Sequence, residues 1–406
     1  MKTTMTDPGK RQILSGALLV LPAAATEGSL VIENGRIAEI APGKRYREGL
    51  DLSGRYLIPG VIDIHTDYVE KEIAPRPEAR FPFELALHYM DLRAVSCGIT
   101  TLLSSARISE ERAGILGTWT GDGLEMARRY ESFLNRTKAK HLIHVRWDTS
   151  FEPVDDALAE LQKLKSIGNL VYNENIPGER QFRDVEGIIR RQAINRNISI
   201  DESRKLMEAR IAKARSVNNR AKVKAALGGR IPLGSHDDTT VEHVVEAYHA
   251  GATLSEMPCT IEAARKAKEL GMMVCMGAPN YYRGGSHCGN LSCAEALDEG
   301  LVDILCSDYH FPSLLAGALR MIERGAHPSQ AINLISLNPA RYLGLGAETG
   351  SIESGKRADL AVVEPRRGYG AVSQVWVEGQ LRFQADEPLG EVLVSSGRMV
   401  EECVRV

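Results

Sequence analysis

Between residues 61 and 306, short apolar runs alternate with longer stretches of helical periodicity. The runs fall at 61–65, 99–104, 142–147, 170–173, 231–233, 253–256, 272–276 and 302–306. Eight strands in this order, separated by helices, predict an α/β fold in which a parallel sheet closes into a (β/α)8 barrel. The flanks read differently. Strands are predicted at 17–21, 29–33 and 37–40, the last two joined by an Asn34-Gly35 hairpin turn. The same pattern returns at 360–363 and 375–377, followed by a Glu378-Gly379 turn. Both ends are therefore expected to build one small β-sandwich domain, from 1–57 and 345–406, around a barrel at 58–344. Residues 180–230 break the alternation. They are rich in Arg and Lys, with helical spacing at Ile188, Leu206, Ile211 and Val223. The plain reading is an inserted pair of solvated helices; the sharper one is a cationic lid over an anionic ligand.

Composition narrows the class. The chain has 406 residues, 43% of them hydrophobic, which is ample for a large core. Fifty basic and 53 acidic residues leave a net charge of −3, so no global charge draws it to nucleic acid or an anionic membrane. Aromatics at 5% argue against stacking platforms for single strands. Lys10 and Arg11 before the apolar stretch 13–25 loosely imitate a signal peptide. Gly16 and Pro22 interrupt that stretch, and 28–40 continues it as paired strands, so it reads as part of the β domain. No run approaches the roughly 18 apolar residues of a membrane span. Seven cysteines without a CxxC pair, several inside apolar runs, suit a reducing cytoplasm. Homo-oligomerisation stays open.

The candidate chemistry sits where strands end. His65 and Asp67, two apart after Pro59-Gly60, can aim an imidazole and a carboxylate at one point. Both are good ligands for zinc, manganese or iron, so one or two divalent ions are expected. His236 follows the fifth strand, where Asp237 or Asp238 could orient its ring or cap the next helix. Asp308 follows the eighth and could ligate metal and take a proton from a metal-activated water, whose pKa falls to about 7. Asp148 and Glu174 end the third and fourth strands, and either could bridge two ions; each reads equally well as a surface acid. Residues 277–290 form the longest glycine-rich polar segment, with Asn280, Arg283, Gly284, Gly285, Ser286 and His287. Backbone N–H groups there could cradle phosphate, although composition alone favours a flexible loop. Lys71, Arg76, Arg80, Arg107 and Arg146 add cations near strand ends, as a polyphosphate would need. There is no P-loop and no GxSxG elbow.

The motifs PGVIDIHTD, GITT, RQF, SHDD, MGAPN, RGGSH, GN and SDY occur in this order, followed by Asn338-Pro339-Ala340 and Gly355-Lys356-Arg357-Ala358-Asp359-Leu360. In this the chain resembles the metal-dependent amidohydrolase superfamily, and within it the branch serving the carbon–phosphorus lyase pathway. The resemblance runs from about Gly28 to Arg382. It implies a (β/α)8 barrel with a terminal β-sandwich and divalent metal at the barrel mouth. It also implies a small phosphorylated substrate, α-D-ribose 1-methylphosphonate 5-triphosphate, split to the 5-phosphate and pyrophosphate by metal-bound hydroxide. His65, Asp67, His236 and Asp308 carry over as ligands, with Asp308 as the catalytic proton acceptor. Arg283, Ser286 and His287 carry over as substrate contacts.

Three sites depart from that family. The third-strand motif, usually HLRCE, is His144-Val145-Arg146-Trp147-Asp148. The fourth, usually MDH, is Asn173-Glu174-Asn175, and Val241 replaces a further histidine. Asparagine is a poor zinc ligand, which weakens the case for a second ion. The departures leave two alternatives: hydrolysis of a C–N bond on the same scaffold, as in a deaminase, deacetylase or cyclic amidase, and a barrel that binds without catalysing.

Overall fold

The structure is a computed structural model. It describes residues 11–76, 79–109, 123–174, 176, 178, 180, 184–286 and 289–385. Sixteen strands among these make two sheets of eight.

The first sheet joins both ends of the chain. Its strands are β1 (Gln12–Val20), β2 (Ala25–Glu33), β3 (Arg36–Pro42), β4 (Leu50–Asp51) and β5 (Tyr56–Pro59), with β14 (Leu360–Arg366), β15 (Tyr369–Val377) and β16 (Gln380–Gln384). The order is β16-β15-β14-β5-β1-β2-β3, with β4 beside β1. The expected sandwich is thus one continuous sheet, stitched where β5 pairs antiparallel with β14. Strand alternation gives it two buried faces. Leu57, Leu360, Val362 and Trp376 pack into the sheet's own cluster with Leu14, Leu30 and Ile37. Their neighbours Ile58, Ala361, Val363 and Val375 join the barrel's core. Asn34 and Gly35 both adopt positive φ, as do Glu378 and Gly379, which is what two tight hairpins require.

The second sheet is the barrel. It runs β6 (Val61–Thr66), β7 (Ile99–Ile108), β8 (Lys140–Asp148), β9 (Ile167–Asn173), β10 (Leu233–His236), β11 (Ala252–Glu256), β12 (Met273–Gly277) and β13 (Ile304–Cys306), all parallel and in chain order. Two residues past β13, Asp308 makes an isolated parallel bridge to Thr66 of β6, which nearly closes the ring. Only Gly60 separates the two sheets. A Cβ there would lie 2.2 Å from Thr100 Oγ1, so the crossing demands glycine. The lower barrel is plugged by Ile62, Ile64, Leu103, Leu254, Cys275, Ile304 and Cys306 against Ala340 and Tyr342. Asn338 fixes that plug by donating to the Asp303 carbonyl at 2.8 Å.

β10 starts two residues later than the pattern predicted. Pro232 lacks an N–H and stays outside the strand, its carbonyl accepting from Leu170 N–H. His236 is consequently the last residue of the strand itself. Beyond β9, helices Val185–Arg196, Ile200–Ser216 and Arg220–Leu227 occupy the charged region. Asp184 and Ser199 cap the first two, and Ile188, Ile189 and Met207 form a small core of their own. No helix among the described residues is long and apolar enough to cross a membrane.

Candidate active site

The strands end on one buried cluster. Glu256, last in β11, is fully buried. One of its oxygens, Oε2, faces three imidazoles. His65 Nδ1 of β6 lies at 3.0 Å, His144 Nε2 of β8 at 3.5 Å and His236 Nε2 of β10 at 3.9 Å. The His65 ring centroid is 4.7 Å from that of His144 and 5.5 Å from that of His236. The other nitrogen of each ring lies near a different oxygen, Asp67 Oδ1 at 3.7 Å for His65, the Ile64 carbonyl at 3.1 Å for His144 and Asp237 Oδ2 at 2.8 Å for His236, and of these only the His144 contact is a hydrogen bond.

These residues fit a divalent cation. His65 Nδ1, His144 Nε2, His236 Nε2 and both Glu256 oxygens are buried without a hydrogen-bond partner. Buried polar atoms are normally paired, and this set consists of borderline metal donors. The electrostatics agree. Burial alone would raise the Glu256 carboxyl, but the surrounding histidines hold it at about 2. Burial opposes a charged His65, yet the Glu256 and Asp67 carboxylates lift it well above the usual histidine range. His144 is driven by burial to about 3 and stays neutral.

Asp308 stands at the closing seam. Its N–H donates to the His65 carbonyl at 3.1 Å, and its carbonyl accepts from Asp67 N–H at 2.8 Å. Ligand atoms of His65, Asp67 and Asp308 lie within 4.8 Å of one another. Asp63 braces this seam, accepting from Ser307 N–H at 3.0 Å and Ser307 Oγ–H at 2.5 Å. Burial raises Asp63 to about 6 and also raises Asp308. Asp237, Met257 and Asp308, each at or just past a strand end, all hold positive φ (59°, 54° and 55°). Such backbone is costly for non-glycine residues and clusters at functional sites.

The remaining expected residues divide into groups. Arg146, buried in β8, directs Nη1 at both Asp67 oxygens, at 3.2 and 3.0 Å. Against burial, this holds the Asp67 carboxyl well below its usual range. Glu174 is taken by arginines: Arg180 Nη2 donates to its Oε2 at 2.6 Å and Arg220 to its Oε1. Asp148 Oδ1 accepts from Ser150 N–H at 2.9 Å and closes its own turn. The structure therefore does not bring Asp148 or Glu174 into the histidine cluster. Lys71 Nζ sits 4.8 Å from the centre of the Tyr309 ring, and Arg283 donates to the Tyr309 hydroxyl at 3.3 Å. Both cations thus flank the residue after Asp308. Arg107 lies near enough to Asp67 to lower its pKa. Arg76 is exposed, in a short backbone bridge with Ala79.

Asn280 spends its amide on the loop, donating to the Leu291 carbonyl at 3.2 Å and accepting from Cys293 N–H at 3.0 Å. Gly284 ends helix Ala278–Arg283 with φ of 89°, Gly285 N–H donates to the Asn280 carbonyl, and Ser286 Oγ accepts from Asn290 N–H. His287 and Asn175 lie outside the described residues.

Pattern reading noted Glu256 as a strand-end acid and Arg180 within the RQF motif but gave neither of them, nor His144, a role at the site. The signal for His144 was available, since His144, Arg146 and Asp148 share one strand face at i, i+2 and i+4. Glu256 resembled any other acid ending a strand.

Residues 202–386 match the amidohydrolase family. Similarity to its enzymes spans nearly the whole chain, which belongs to that family. Over 384 residues it is 33% identical to α-D-ribose 1-methylphosphonate 5-triphosphate diphosphatase of Escherichia coli (strain K12), covering 91% of this chain and 100% of that one. It is 24% identical to imidazolonepropionase of Symbiobacterium thermophilum over 410 residues, 87% of this chain and 89% of that one. Two solved structures share the fold. A D-hydantoinase superposes with a TM-score of 0.59 at 15% identity, covering 92% of this chain and 95% of that one. A β-aspartyl dipeptidase from Fervidobacterium islandicum AW-1 reaches 0.60 at 14% identity, over 92% and 97%.

Proposed function

We propose that the chain is a metal-dependent hydrolase that splits a triphosphate, α-D-ribose 1-methylphosphonate 5-triphosphate, into the 5-phosphate and pyrophosphate. The observation that carries this reading is the 33% identity, over 91% of the chain, to an enzyme of that name. The cations around the mouth support it.

The residues that would hold a divalent ion come from His65, Asp67, His144, His236, Glu256 and Asp308. Such an ion supplies Lewis acidity, making water ionisable near neutral pH and offsetting phosphoryl charge. Lys71 and Arg283, flanking Tyr309, bind and orient the triphosphate tail, and Arg283 neutralises the departing pyrophosphate. Asp308, held at the seam by the His65 and Asp67 backbones, takes the proton of the attacking water. The water oxygen bonds to phosphorus as the α–β anhydride P–O bond breaks. The electron pair leaves with pyrophosphate.

The test is pyrophosphate release from that substrate by purified protein supplied with Mn²⁺ or Zn²⁺. Release confirms the reading. Ammonia or amine release from a panel of cyclic amides and amines, with no phosphate required, favours C–N hydrolysis instead. No turnover of either kind favours a binding barrel.

A further inference from the structure

The proposed function leaves open how many ions the mouth holds and which residues hold them. We infer that this chain builds a single-ion centre from His65, His144, His236 and Glu256, with Asp67 as an orienting carboxylate and guanidinium groups on the acids a second ion would need. The inference rests on the metal-dependent reading but not on its substrate.

Three observations converge. The first is the pairing of ring nitrogens. Each histidine turns one nitrogen toward Glu256; the far nitrogen of His144 is hydrogen-bonded to the Ile64 carbonyl, while those of His65 and His236 face the Asp67 and Asp237 carboxylates without a hydrogen bond. An acceptor on one nitrogen fixes the proton there and leaves the other nitrogen's lone pair for metal. The bond from His144 Nδ1–H to the Ile64 carbonyl assigns Nε2 as that ring's donor, and Nε2 is the atom facing Glu256. Asp67 lies behind His65 as a charge, 3.7 Å from its far nitrogen.

The second is the set of unpaired atoms. The nitrogens turned toward Glu256 and both Glu256 oxygens are buried and lack hydrogen-bond partners. Asp67, in contrast, is bonded by Arg146 through both oxygens.

The third is what occupies the other acids. Glu174 has one oxygen on Arg180 and the other on Arg220. Asp67 has Arg146, and Asp148 closes a turn. A second dication would have to displace a buried guanidinium from its carboxylate and leave that charge unpaired, which is strongly unfavourable. The fixed positive charges of Arg146, Arg180 and Arg220 stand in for a second ion.

Elemental analysis after equilibration with Mn²⁺ or Zn²⁺, and anomalous diffraction from crystals so loaded, test this directly. One ion per chain is expected, with its anomalous peak among His65, His144, His236 and Glu256. Glu256→Gln and His144→Ala should weaken binding by about tenfold or more while circular dichroism stays native. Asp67→Asn strands Arg146 and could unfold the chain, so the double variant Asp67→Asn/Arg146→Met is the companion; it should still load one ion. Two ions per chain, a peak between Asp67 and Asp308, or full loading of Glu256→Gln would overturn the inference. One correctly placed ion without pyrophosphate release would instead remove the substrate assignment and leave the centre standing.

Discussion

Arg180 binds Glu174 through Nε at 3.2 Å and Nη2 at 2.6 Å, while its Nη1 reaches Asp238 at 2.9 Å and the His236 carbonyl at 3.0 Å. One guanidinium therefore ties the end of β9 to the end of β10 beside the metal-fitting cluster. Despite burial, Arg180 and Arg220 hold the Glu174 carboxyl at about 2, below the ordinary glutamate value. A depressed carboxyl stabilises the fold above its unfolded pKa, and that stability is lost as pH falls from about 4.5 toward 2. The gap corresponds to about 3 kcal/mol. Glu174→Gln should lower the stability measured by urea unfolding at pH 7 by about that amount. The variant and the parent should converge as the pH approaches 2. An equal loss at both pH values would show that packing, not charge, is responsible.

Removal of metal gives a second expectation. Chelation should abolish turnover, and Mn²⁺ or Zn²⁺ should restore it. An ion at about a hundred times its dissociation constant adds about 2.7 kcal/mol, so the chelated protein should melt a few degrees lower. An unchanged melting curve together with unchanged activity would remove the metal from the mechanism.

Asp308→Asn tests the proton acceptor. Loss of general-base assistance lowers kcat by about 10²–10⁴-fold, while the seam's backbone bonds between Asp308, His65 and Asp67 stay in place. Steady-state kinetics with a thermal melt would show the rate falling without the stability. Retention of kcat would assign the proton to another group.

Arg283→Met and Tyr309→Phe test the polyphosphate rim. Arg283 should matter mainly for KM, since it holds the tail of the substrate; loss of one charged contact is worth about tenfold. Tyr309→Phe, which removes the hydroxyl that Arg283 reaches, should produce a smaller shift in the same direction. If KM stays constant for both variants, the triphosphate lies elsewhere.

Gly60→Ala tests the crossing between the sheets. Its new Cβ would overlap Thr100, at a cost of roughly 1–3 kcal/mol. Adding Thr100→Ala removes the two closest atoms and should recover part of the loss in a denaturant titration.

The barrel was legible because its strands are continuous apolar runs separated by helices, and His65, Asp67, His236 and Asp308 because they terminate such runs. What pattern could not supply was pairing across the ring. Glu256 and Glu174 are both acids at strand ends, yet one lies against three imidazoles and the other against two guanidinium groups. That difference depends on Arg180 and Arg220, which the chain brings in from either side of the first two inserted helices. Position in sequence also concealed His144. It lies within β8 rather than after it, on the face that it shares with Arg146 and Asp148.

The pairing of β5 with β14 bears on how the chain is made. During synthesis β5 emerges early and its partner only after the whole barrel has followed. Until then one side of β5 is an unpaired edge and Ile58 lacks the residues that later cover it, conditions that favour misassociation. Residues 360–363 must therefore be delivered before β5 is paired on both sides. A nascent chain halted ahead of β14 keeps that edge open and exposed to misassociation.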